Sequence, residues 1–146
     1  MKTQQSNKTR IYLLTMAAYW LVFGLITTFY PRLMDLFQTE TGVHAKTAFS
    51  NHIWQHDGLD IISISVLLFA LSRAAVSRGL LLAAATAALL VTCGIFFSLF
   101  STSYWSGLFI VPGVGCLGFS VWGFVLASAA KNSVESIPGQ QASAQA

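Results

Sequence analysis

Four apolar stretches, near residues 11–30, 53–72, 79–100 and 104–130, take up most of this 146-residue chain. Each is about as long as a helix needs to be to cross a hydrocarbon layer of roughly 30 Å. That leaves no room for a separate soluble domain. In lipid every backbone amide and carbonyl must find its partner within the segment, so the expected fold is all-α, an integral membrane four-helix bundle. Composition agrees: 55% of residues are hydrophobic and only 9% charged, with a mean hydropathy of +0.65.

The first stretch follows a basic, polar leader and ends in Phe29-Tyr30-Pro31. At about 20 residues it exceeds the apolar core of a signal peptide, so it reads as a retained span. The second is too short from Leu59 to Leu71 to cross by itself and needs a start near Ile53. Residues 1–130 form one transmembrane domain in this reading. Residues 131–146, rich in Ser, Gln and Ala with Pro138-Gly139, read as a disordered cytoplasmic tail.

Lys2, Lys8, Arg10, Arg73, Arg78 and Lys131 fall on one side of this arrangement, and only Arg32 and Lys46 on the other. The positive-inside tendency then places both termini in the cytoplasm of a multi-pass protein of the cell inner membrane. Tyr30, Trp54, Tyr104 and Trp105 fall at the outer level, where an interfacial aromatic belt belongs. A net charge of +3 reflects topology and gives no case for nucleic acid.

The first outer loop carries Leu33, Leu36 and Phe37 at the spacing of one helical face, as for a short interfacial helix ended by Thr41-Gly42. The following residues bring His44 and Lys46 towards the second span, where the loop is expected either to cap the bundle as a lid or to be a plain connection.

Residues 51–60, Asn-His-Ile-Trp-Gln-His-Asp-Gly-Leu-Asp, hold two of the three histidines and two of the five acids. Ionisable groups packed against a span mark a functional site by default. On a helix His52, His56 and Asp60 form one stripe that continues to Ser63, with Asp57 turned about 140° from His52. Acid–base chemistry would use His56 as general base or acid, Asp60 to orient it and His52 as a second relay. Asp57, Ser63, Trp54 and His44 would bind a lipophilic small molecule. No cofactor is required by that chemistry, although a divalent metal held by His52, His56 and Asp60 is a competing use of the same residues. A third is helix capping and interface solvation, which suits Asp57 before Gly58.

Other motifs carry less. Gly113-Val114-Gly115-Cys116-Leu117-Gly118 has dinucleotide-fingerprint spacing but lies inside a span with no strand before it. These glycines, with Gly107, Gly123, Ala83, Ala84, Ala87 and Ala88, are expected to let helices approach closely within the chain or in homo- or hetero-oligomers. Pro112 is a candidate kink in the fourth span. Cys93 and Cys116 form no paired motif. Tyr12, Tyr19, Trp20, Phe96, Phe97 and Trp122 read as packing.

Three histidines are too few for the histidine boxes of membrane desaturases, and the first span lacks the acid of small multidrug exporters. In topology, and in Pro31-Arg32-Leu33-Met34-Asp35-Leu36-Phe37 after the first span, the chain resembles the small four-helix bacterial membrane proteins grouped as DoxX-like. The resemblance covers about seven residues beyond topology, carries no functional residue, and leaves the His–Asp cluster outside it. Three function classes stay open: an acid–base enzyme catalysing isomerisation, hydration or cyclisation, a non-catalytic accessory subunit or binding protein of a membrane complex, and a small transporter or metal-handling protein.

Overall fold

The computed structural model describes residues 7–45, 48–74 and 76–135, giving the backbone alone for 48–51 and 131–135. Lys2, Lys46 and tail residues 136–146 lie outside the described residues. The chain is helical: α1 (Asn7–Phe29), a 3-10 segment (Pro31–Phe37), α2 (Glu40–His44), α3 (Ala48–Leu71), α4 (Arg78–Ser101), a 3-10 turn (Gly107–Phe109) and α5 (Ile110–Glu135). Four of these helices are long and apolar enough to cross a membrane. Their outward faces carry large apolar side chains such as Val22, Leu67, Leu90 and Val125, each more than half exposed. Such surfaces are suited to hydrocarbon.

The bundle is two tightly packed pairs. Helix α1 lies along α3 and α4 along α5, while the pairs meet chiefly through α1 and α5. Within pairs, small residues let backbones come close. A Cβ on Gly24 would lie 2.9 Å from the Gly58 carbonyl oxygen, and one on Gly58 would strike Thr28 Oγ1. In the second pair, a Cβ on Gly113 would sit 3.0 Å from Ile95, and one on Gly123 2.8 Å from Ala85 Cβ. Between pairs the filler is aromatic. Tyr12 packs edge-on against Trp122 (5.4 Å) and Phe119 (6.4 Å), and Tyr19 against Trp20 and Phe119. Tyr19 also donates to the Pro112 carbonyl at 3.1 Å, tying α1 to α5.

The sequence expectations need several corrections. Gly107 and Gly118 meet nothing within 4 Å, and Ala83 and Ala87 are exposed while Ala88 is buried, so only part of the small-residue set closes helices within the chain. Phe97 is exposed and does not pack in the core. Pro112 does not kink a helix: it lies in the first turn of α5, where a missing amide costs no hydrogen bond. Helix α5 runs on through 131–135, because no helix breaker occurs before Pro138.

The first loop also differs from expectation. Pro31–Phe37 is a 3-10 helix, with three residues per turn, so Leu33 and Leu36 line up on one exposed ridge beneath Tyr30 while Met34 is buried. Phe37 leaves that ridge to meet Phe109. Thr41-Gly42 lies inside α2 and does not end a helix. The loop closes onto the α4–α5 turn: Thr39 Oγ1 donates to the Ser103 carbonyl at 2.6 Å, Thr39 N to Tyr104 O at 2.9 Å, and Ser106 N to Phe37 O at 2.8 Å. Gly42 packs against the Tyr104 carbonyl.

Candidate functional site

The backbone of α3 sets the site. The helix begins at Ala48, so Asp57 lies more than two turns inside it. Its carboxylate is too far along to cap the free amides of the first turn, which removes the capping role expected from the Asp57-Gly58 pair. Gly58 turns its Cα onto Thr27 and Thr28 of α1. With that side of α3 committed to α1, the residues around 56, 57 and 60 point away from the bundle.

His56 Nδ1 lies 3.4 Å from Asp60 Oδ2, and the two side chains are 76% and 66% exposed. The pairing expected from their i, i+4 spacing is present. The expected enclosure is not: His44, His52, Asp57 and Ser63 are exposed as well. The loop that was a candidate lid is fastened to the α4–α5 turn instead. Ser63 Oγ is turned back on its own helix, donating to Leu59 O at 2.9 Å.

Asp57 is a member of the cluster, contrary to its expected isolation. Ligand atoms of His56, Asp57 and Asp60 all lie within 4.8 Å of one another. Asp57 and Asp60 are i, i+3 neighbours, a relation hidden when Asp57 is measured only against His52. His52 falls outside this group. It stands eight residues above Asp60, roughly 12 Å along a helix, too far for both to hold one ion. An imidazole and two carboxylates could hold a divalent cation, so the metal alternative passes to His56, Asp57 and Asp60.

Trp54 belongs to a different assembly. It is half-buried and meets Trp105 edge-on at 5.6 Å, and Trp105 stacks on Phe109 at 4.1 Å. This cluster joins the two helix pairs at the end where the first loop lies and turns Trp54 away from the histidine stripe. Two apolar grooves flank α1, of about 430 and 450 Å³, one reaching Phe119 and the other Ser65 and Phe69. Neither contains His52, His56, Asp57 or Asp60.

The level of the cluster follows from the register of α1 against α3. Ser65 Oγ donates to Ala17 O at 2.7 Å, and Gly58 lies beside Gly24. Carried along both helices, that antiparallel register sets His52 level with Tyr30, His56 level with Ile26 and Asp60 level with Val22. Val22 is eight residues, roughly 12 Å, below Tyr30, near the middle of the apolar stretch of α1. Sequence reasoning found the stripe but missed both its outward direction and the apolar residues that continue it, Ile53, Leu67 and Ala70. Comparison with protein families, with characterised proteins and with solved structures finds no match.

Proposed function

We propose that this chain is a multi-pass membrane subunit with both termini in the cytoplasm, and that the outward face of α3 is its assembly surface. One observation carries the reading: the His56–Asp60 pair stands on an exposed face, with His56 about one turn below the Tyr30 end of the apolar run of α1 and Asp60 level with its middle. An ionisable group at that depth costs about 2.5–3.5 kcal/mol against hydrocarbon, and such groups face protein or water in membrane proteins. A protein partner supplies that environment. The ridge of Tyr30, Leu33 and Leu36 acts in this reading as an interfacial foot in the outer leaflet, set by the loop's hydrogen bonds to the α4–α5 turn.

The test uses native membranes and a chain in which exposed Cys93 is replaced by alanine. A cysteine at Leu67, on the α3 face, is expected to react with a lipid-soluble maleimide several-fold more slowly than one at Leu90 on α4. Equal rates would show α3 facing lipid and remove the assembly reading. A fluorescent protein fused after Ala146 should fold and fluoresce in the cytoplasm; a dark fusion at normal expression would reverse the topology.

A second reading keeps the pair as an acid–base site acting on a lipophilic molecule by isomerisation, hydration or cyclisation. It is favoured by the 3.4 Å approach of Asp60 to His56 Nδ1, which would hold the imidazole with Nε2 free to exchange a proton. Turnover should then vanish in His56→Ala and Asp60→Ala while expression and folding persist. Full activity in either variant would sink it.

A further inference from the structure

Ile53, His56, Asp60, Ser63, Leu67 and Ala70 follow one another at alternating intervals of three and four residues, and all six are exposed. That alternation is the a/d pattern of a helix that packs along another nearly parallel helix. The apolar faces inside the bundle are already used by α1, α4 and α5, whereas this seam has no neighbour among the described residues. Ser63 near its middle and Ala70 at its far end keep the seam narrow, as close approach in a membrane requires. At its outer half it carries one group that can be cationic and one that is anionic, a turn apart on the same line.

We infer that the occupant of this face is a second copy of the chain, packed α3 against α3 about a twofold axis along the membrane normal. The inference rests on the assembly reading above and names its partner. A twofold contact is isologous, so the same patch must complement itself. Two parallel copies of α3 bring His56 of each protomer within one turn of the partner's Asp60, and the two imidazoles and two carboxylates then close into one quartet. In this arrangement each Asp60 also faces its own copy, and the His56 imidazoles one turn away on both chains offset that repulsion, which a face bearing only acids could not do. Polar residues at seam positions also fix the register of helix pairs, which suits an interface that is otherwise narrow and smooth. The small-residue face of α4 around Ala83, Ala87 and Gly94 lacks any such complement.

Disulfide trapping in native membranes tests this, again with Cys93→Ala and with buried Cys116 left in place. Ser63→Cys and Leu67→Cys should form a covalent homodimer on mild oxidation, at least tenfold more than Phe69→Cys on the flank of α3 or Leu90→Cys on α4. In mild detergent the chain should run at twice its 15.8 kDa mass, and Asp60→Asn should weaken self-association by about tenfold. A monomer with no trapped dimer at Ser63 or Leu67, preferential trapping at Leu90, or unchanged association of Asp60→Asn would each overturn the quartet. If the seam cysteines are shielded from lipid but are trapped to a different protein, the second copy is wrong and the assembly reading survives. If they are freely labelled from the lipid phase, both fall.

Discussion

Gly24 and Gly58 meet backbone to backbone where α1 crosses α3, with the position of a Gly24 Cβ only 2.9 Å from the Gly58 carbonyl oxygen. The missing Cβ on Gly58 would also strike Thr28 Oγ1 and come within 2.6 Å of Thr27 Oγ1. The close crossing sets the register of α3, and with it the depth and direction of His56, Asp57 and Asp60.

Gly58→Ala should therefore push α3 away from α1 and lower the stability of the purified protein by about 1–3 kcal/mol, as overpacking does. Gly118→Ala, where nothing lies within 4 Å, should be neutral or stabilise slightly through helix propensity. Unfolding midpoints in mixed micelles check both, and equal midpoints would contradict the crossing.

A half-buried hydroxyl and a buried one hold α1 in place, Tyr19 on Pro112 O and Ser65 on Ala17 O. Tyr19→Phe and Ser65→Ala should each lose about 0.5–1.5 kcal/mol, towards the low end because hydrogen bonds in membranes average about 0.6. The sites lie in different helix contacts, so the double variant should show losses that add to within about 0.5 kcal/mol.

Thr39 joins the first loop to the α4–α5 turn with its hydroxyl while accepting from Gly42 N at 3.2 Å as the N-cap of α2. Thr39→Val should remove both contacts and release the loop. Hydrogen exchange over residues 31–45 should rise about tenfold, with α1 and α5 unchanged. Uniformly faster exchange would point to global destabilisation instead.

Trp54 should behave as a fastener between the two helix pairs at the loop end of the bundle. Trp54→Phe keeps a ring against Trp105 and should cost under about 1 kcal/mol. Trp54→Ala should cost more, since an aromatic pair adds about 0.5–1.5 kcal/mol beyond its buried area. Neither should alter dimer trapping at Ser63 or Leu67. A loss of trapping in Trp54→Phe would tie the aromatic cluster to the seam.

The spans were legible because each is a long, nearly uncharged run whose length alone must match a bilayer. The helical stripe at His52, His56, Asp60 and Ser63 was legible for the same kind of reason: residues three and four apart share a face whatever surrounds the helix. The clamp at Thr39, Ser103 and Ser106 was not, because its partners are more than 60 residues apart and backbone carbonyls leave no mark in the sequence. The 3-10 form of Pro31–Phe37 was missed too, since Leu33 and Leu36 fit either period.

Sequence alone determined that this chain makes four apolar helices and that two of its histidines and two of its acids gather in the first half of one of them. Uniform hydrophobicity compels the first, and the spacing of a few residues compels the second. Tertiary structure decided which way that helix turns. The spacing of its polar stripe says which residues of α3 share a face but not whether that face turns inward, so the choice falls to the closest packing available, and Gly58 against Gly24 and Thr28 takes it. That contact turns His56 and Asp60 outward, away from the bundle's own core.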